Sequence, residues 1–209
     1  MKRTSIAILA LVTICLASAW AGDGISFSGG SSFVSLQEGS RSVRLSDGAR
    51  VSVDTLVISA DSIVLEGDDY EEVTCQGAVV ISDEERGLTI RTTRLIYDRT
   101  AERLLIPTWC EISDRSNELV ATCAALYYDM DEEVLELQMR VSLAKSTSDG
   151  IMNAQAEKVT FDRNASTLVL SGGAEVDWNG DRYSALIVTV DLEGERISLS
   201  GQIGGTVHG

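Results

Sequence analysis

The sequence predicts an all-β, antiparallel fold built from short repeats. Three observations carry this reading. Apolar and polar residues alternate with period two, polar clusters interrupt the alternation at regular intervals, and one short phrase recurs five times. The alternation is plain at Val51 and Val53, Val79 and Ile81, Leu119 and Ala121, and Val176 and Trp178. Period two puts such pairs on one face of a strand. The interruptions read "SDEERG" (82–87), "DRTAER" (98–103), "SDRSNE" (113–118), "KSTSDG" (145–150), "DRNAST" (162–167), "WNGDR" (178–182) and "DLEGER" (191–196). Short strands broken this often predict a sandwich, barrel or roll. Val134 to Val141 has a helix-like look but falls in phase with strands elsewhere, and is read as strand.

The recurring phrase is seen in "ADSIVLEGD", "TTRLIYDRT", "CAALYYDMD", "AEKVTFDRN" and "ALIVTVDLE", and it closes on Glu66, Asp98, Asp129, Asp162 and Asp191. Successive closing acids are 32, 31, 33 and 29 residues apart. The residue before each is large and apolar: Leu65, Tyr97, Tyr128, Phe161, Val190. Two residues earlier stand Ile63, Leu95, Leu126, Val159 and Val188, and six before the acid comes a small residue: Ala60, Thr92, Cys123, Ala156 or Ala185. Each unit therefore holds a first strand, a turn, a second strand and another turn. The acid ends a strand and opens a turn, where its side chain is expected to bond backbone two residues on. Five carboxylates binding metal would need further oxygen ligands at convergent geometry, which the pattern does not offer.

The small and large positions differ in parity, so a straight strand cannot put Ala60 and Ile63 on one face. Each long strand must contain a bulge or corner. Stacked bent strands make a trough or flattened roll with apolar residues inside. Both ends of the stack are strands without a neighbour: "GISFSGGSSFVSLQEG" (24–39) and "RISLSGQIGGTV" (196–207). Unprotected edges can add a strand from another chain.

The first 21 residues read as a cleavable signal peptide: Lys2 and Arg3, an apolar run from Ile6 to Leu16, then Ala19-Trp20-Ala21. Residues 22–209 then form one domain. The 209-residue chain has 17 basic and 32 acidic residues, and losing Lys2 and Arg3 makes the balance more acidic. That charge opposes nucleic-acid binding. Three cysteines remain, Cys75, Cys110 and Cys123. Cys110 and Cys123 could face one another across a hairpin, but each fits as a small buried hydrophobe. They are read as three free thiols. No HExxH, GxSxG, CxxC or Walker pattern is present. The single histidine, His208, reads as a tail residue. No cofactor, metal or catalytic residue is assigned, and the chain is read as no enzyme.

The phrase, alternating with a Gly-x-Val-x-apolar strand, resembles the OstA-like, LptA-type family of periplasmic lipopolysaccharide transport proteins. The resemblance is clearest in "VISADSIVLEG" (57–67), "CQGAVVIS" (75–82), "LTIRTTRLIYDR" (88–99) and residues 170–201, and spans about 45–207. "PTWCEIS" and "LQMRVSLA" depart from it by lacking the glycine. The resemblance implies an open, V-shaped β-jelly roll of stacked two-strand repeats in the periplasm, holding acyl chains of lipopolysaccharide or another glycolipid during transport to the outer membrane. It further implies head-to-tail edge pairing with itself or with related jelly-roll domains of inner- and outer-membrane transport proteins. The candidate lining is Ile58, Ile63, Leu65, Val79, Ile81, Ile90, Leu95, Tyr97, Ile112, Leu126, Tyr128, Leu143, Val159, Phe161, Val176, Val188 and Val190. The same residue types would build a closed dry core, so a structural envelope repeat protein is the competing reading. A membrane-anchored LptC-like component is another, and a retained N-terminus would point there.

Overall fold

A computed structural model describes residues 24–37, 41–148 and 150–208. Residues 1–21, read from the sequence as a signal peptide, lie outside the described residues. The described chain contains sixteen strands and no helix. In order they are β1 (Ile25–Ser28), β2 (Ser31–Ser35), β3 (Ser42–Val53), β4 (Leu56–Glu66), β5 (Glu72–Asp83), β6 (Leu88–Asp98), β7 (Arg103–Ile106) and β8 (Cys110–Asp114). There follow β9 (Leu119–Cys123), β10 (Ala125–Asp129), β11 (Val134–Thr147), β12 (Gly150–Asp162), β13 (Thr167–Trp178), β14 (Asp181–Asp191), β15 (Arg196–Ser200) and β16 (Gly204–Thr206). The helix-like stretch 134–141 lies within β11.

All sixteen strands join one antiparallel sheet. Eight are long, and the other eight pair off end to end: β1 with β2 along β3, β7 with β8 along β6, β9 with β10 along β11, and β15 with β16 along β14. The sheet is therefore a meander of twelve bent rungs among the described residues.

The bend expected from parity is present. Register slips between Ser46 and Ala49, Gln76 and Val79, Gln138 and Val141, and Ser171 and Ala174. At each slip two residues bulge against one on the following strand. The bulging pair adopts left-handed backbone: Asp47-Gly48 at φ 59° and 80°, Gly77-Ala78 at 72° and 31°, Gly172-Gly173 at 79° and 66°. Glycine suits such corners because it has no Cβ to collide with the carbonyl. At Gly172 it is also needed for space, since a Cβ there would lie 2.8 Å from the Cβ of Glu157. In the unit lacking the glycine, Met139 and Arg140 take the same conformation at 61° and 54°. The other departing unit solves the problem differently. Its rung breaks between β7 and β8 around Pro107, whose fixed φ and missing N–H end ladder pairing.

The slip returns both halves of a rung to one inner face. In β4 the buried positions are Leu56, Ile58 and Ala60 before the corner and Ile63 and Leu65 after it. The sheet thus folds along its row of corners into two walls. The first wall holds β1, β8, β9 and β16 with the adjoining halves of the long strands; the second holds β2, β7, β10 and β15 with theirs. Inward side chains of both walls make one apolar core.

Candidate functional site

The two walls place the candidate residues in rows. Ile58, Ile81, Ile90 and Ile112 are successive Cα partners along the first wall, and the row continues through Ala121 to Leu143, Ala154 and Val176. Val79 stands beside it, next to the corner of β5. On the second wall a row runs from Leu65 through Val73, Tyr97, Leu104, Tyr128, Leu135, Phe161 and Leu168 to Val190. Nearer the corner Ile63, Leu95, Leu126, Val159 and Val188 lie in a parallel row. All seventeen candidates are buried, none more than 4% exposed. The structure adds Val73, Leu104, Leu135 and Leu168, which the phrase alone did not mark because they belong to each unit's first strand. Their hairpin pairing with the phrase residues was the available signal.

Between the walls the side chains interlock. A cavity of about 10 Å³ lies among Ile112, Leu119 and Leu143 of the first wall and Leu135, Val159 and Phe161 of the second. That is room for about one water molecule. Burial pushes the Tyr97 hydroxyl pKa up to about 12. Tyr128 is raised too, by burial first and then by Glu133, whose carboxylate accepts a hydrogen bond from its hydroxyl at 3.0 Å.

The phrase-ending acids do not converge. Asp98, Asp129, Asp162 and Asp191 each accept a backbone N–H within their own turn, from Ala101, Glu132, Ala165 and Gly194 at 2.9, 3.2, 2.7 and 2.7 Å. The bond reaches three residues on rather than two. Among the described residues no group of His, Cys, Asp and Glu is arranged to hold a metal. His208 is not a loose tail residue: its backbone N–H donates to Asp181 Oδ1 at 2.7 Å. Cys75, Cys110 and Cys123, the cysteines of the described residues, are free and buried. Cys110 and Cys123 are nonetheless cross-strand partners with sulfurs 3.3 Å apart. Burial pushes the Cys75 thiol up to about 12.

Opposite the row of corners the turns of the two walls meet along a seam. Here the structure contains a feature the sequence reading missed. Asp83 and Asp114 occupy inward positions at the ends of β5 and β8, where the alternation calls for apolar residues, and each is 2% exposed. Asp83 caps the Arg86 N–H at 3.0 Å, binds the Arg86 guanidinium at 2.8 Å and accepts from Thr55 at 3.0 Å. Burial alone would raise its carboxyl; the bonds from Arg86 and Thr55 and the Arg86 charge together hold it below the usual carboxylate range. Arg86 crosses the seam to Glu133. Arg163 crosses in the other direction, to Asp114 at 2.8 Å and to the Arg86 carbonyl at 2.7 Å, and also binds Glu133 within its own wall. Burial disfavours both guanidinium charges, but the carboxylates outweigh it and raise both above the ordinary arginine value. The inward parity of Asp83 and Asp114 was the sequence signal for this cluster.

No protein-family signature and no curated protein matches the chain. Among solved structures it is similar to LptH, described as the LptA homologous periplasmic component of the conserved lipopolysaccharide transport device from Pseudomonas aeruginosa. The identity is 10%, the match covers 90% of this chain and 96% of that one, and the TM-score is 0.29.

Proposed function

We propose that this chain is an exported lipid carrier. In this reading it shields the acyl chains of lipopolysaccharide or a similar glycolipid between its two walls on the way to the outer membrane. The observation that carries the reading is the interior: aliphatic rows pass from rung to rung along the whole roll. Each acyl CH₂ taken from water contributes about 0.8 kcal/mol, so several chains bind well with no dominant residue. Repetition of similar rungs also keeps barriers low for a lipid moving along the axis. Because the interior is filled by its own side chains, binding requires the walls to part at the seam.

The edges support a bridging role. With twelve rungs, an even number, the last rung of one copy runs antiparallel to the first rung of the next in a stack that simply continues. The lengths also correspond. On the second wall β2 and β15 have five residues each; on the first wall β1 has four and β16 three. Phe27, Phe33, Val34 and Leu36 are exposed at one end, Ile203 and Val207 at the other. The partner is a second copy or a related jelly-roll domain of a transport protein in either membrane.

One observation favours the competing reading of a structural repeat protein: the tight packing around the cavity of about 10 Å³. Retention separates the two. The carrier holds lipopolysaccharide through gel filtration; a protein from which every lipid offered elutes separately is a structural repeat.

A further inference from the structure

The cross-seam contacts are unevenly placed. Near the middle of the seam Arg86, Asp114, Glu133 and Arg163 join the turns after β5 and β8 to those after β10 and β12. Nearer the N-terminal end the lips stand apart around a cavity of about 510 Å³, between Val53 and Leu56 on one side and Tyr97 and Met130 on the other. Nearer the C-terminal end a second cavity, about 320 Å³, separates Trp178 and Tyr183 from Ile197 and Leu199. Between this gap and the central cluster a Ser148–Glu195 hydrogen bond, 2.7 Å long and exposed, also crosses. The central cluster is different in kind. The Arg163 side chain is 7% exposed and that of Asp114 1%, with Glu133 at 16% and Arg86 at 29% towards the outside.

We propose that this buried ion cluster is a releasable latch that holds the roll shut at its centre, and that its opening admits an acyl chain between the walls. This rests on the carrier reading above. The chemistry suits a latch better than a permanent closure. Apolar lips would gain free energy with every Å² covered and would not reopen without losing it. A buried ion pair instead balances a large Coulomb gain against a large desolvation cost, so its net hold is small. Opening returns both guanidinium groups and all three carboxylates, Asp83, Asp114 and Glu133, to water, where each is fully solvated. Without Glu133, Arg86 keeps only Asp83 of its own wall and one of the two charged crossings is gone, while Arg163 still reaches Asp114. The partly buried charges are then less fully compensated and the closed state weakens. Glu133 is the common member. It receives Arg86 from across the seam and Arg163 from its own wall, and Tyr128 donates to it from the inner row. Displacement of Tyr128 by an entering chain would therefore loosen the latch from within.

The test is Glu133→Gln, which keeps the shape and removes the charge. Hydrogen–deuterium exchange at turns 84–87 and 130–133 reports the lips, exchange at the corner residues of β5 reports the fold, and uptake of the fluorescent fatty acid cis-parinaric acid reports entry. The latch predicts lip exchange faster by about tenfold or more, unchanged exchange at the corner, and faster uptake. Unchanged lip exchange overturns the latch. Faster lip exchange with no parinarate bound to either protein supports the latch and overturns the carrier reading. Should E133Q lose the sheet by circular dichroism, R86K replaces it. That variant keeps the charge but loses the planar fork, and the same three readouts apply.

Discussion

Met139 and Arg140 hold two consecutive left-handed conformations that the other corners assign largely to glycine. Such backbone costs a non-glycine residue about 1–2 kcal/mol. Met139 is 52% exposed, so little packing is lost with its side chain. Met139→Gly is therefore expected to stabilise the protein by about 1 kcal/mol, after allowing for glycine's greater freedom when unfolded. A melting temperature higher by about 2–4 °C is the expected reading; a lower one would mean that the corner is unstrained. Asp83 gives a pH prediction with a definite sign. Its folded pKa is depressed, so its stabilisation is complete above the unfolded value of about 3.9 and is lost as pH falls through the lower folded value. Urea midpoints measured from pH 6 downward should fall less steeply below about pH 4 in Asp83→Asn than in the parent. Equal slopes would remove Asp83 from the acid response.

At the scale of the element, the bent rung is the unit on which the fold depends. Gly172→Val puts a branched side chain at φ 79° against Glu157, and is expected to destabilise by more than about 2 kcal/mol. A denaturation midpoint within error of the parent would show that the corner tolerates side chains. The break between β9 and β10 brings a second prediction. With sulfurs 3.3 Å apart on directly paired residues, Cys110 and Cys123 should bridge under a mild diazene oxidant while Cys75 does not. Thiol titration of the denatured chain lacking residues 1–21 should then give three groups before oxidation and one after; three after oxidation would contradict the geometry. These elements show what the sequence made legible. The corner was readable because Ala60 and Ile63 have opposite parity yet belong to one apolar set, and the structure buries both. The turn role of Asp98 and its equivalents was readable as well, though their reach is one residue longer than expected. The seam cluster was not read. Arg86 lies 47 residues from Glu133, and Arg163 lies 49 from Asp114. The contacts join turns several rungs apart in the sheet, and local pattern carries no record of which turns meet across the seam.

On the scale of the whole molecule, the proposed carrier role uses the folded sheet twice, its apolar interior for lipid and its two end rungs for assembly. The edge account predicts concentration-dependent self-association in sedimentation. Phe33→Lys, at a residue 64% exposed on β2, should weaken it by about tenfold or more without lowering the melting temperature, since a lysine on an edge strand opposes strand addition. A parent chain that stays monomeric at high concentration would remove self-stacking and leave only heterologous partners. Everything else in the functional account depends on what lies between the walls. Native mass spectrometry of the protein, released gently from its host, measures this most directly. The account predicts a stoichiometric adduct whose fragments are those of an acylated glycolipid. A mass equal to that of the polypeptide alone, unchanged after incubation with lipopolysaccharide, would contradict it and leave a closed structural roll.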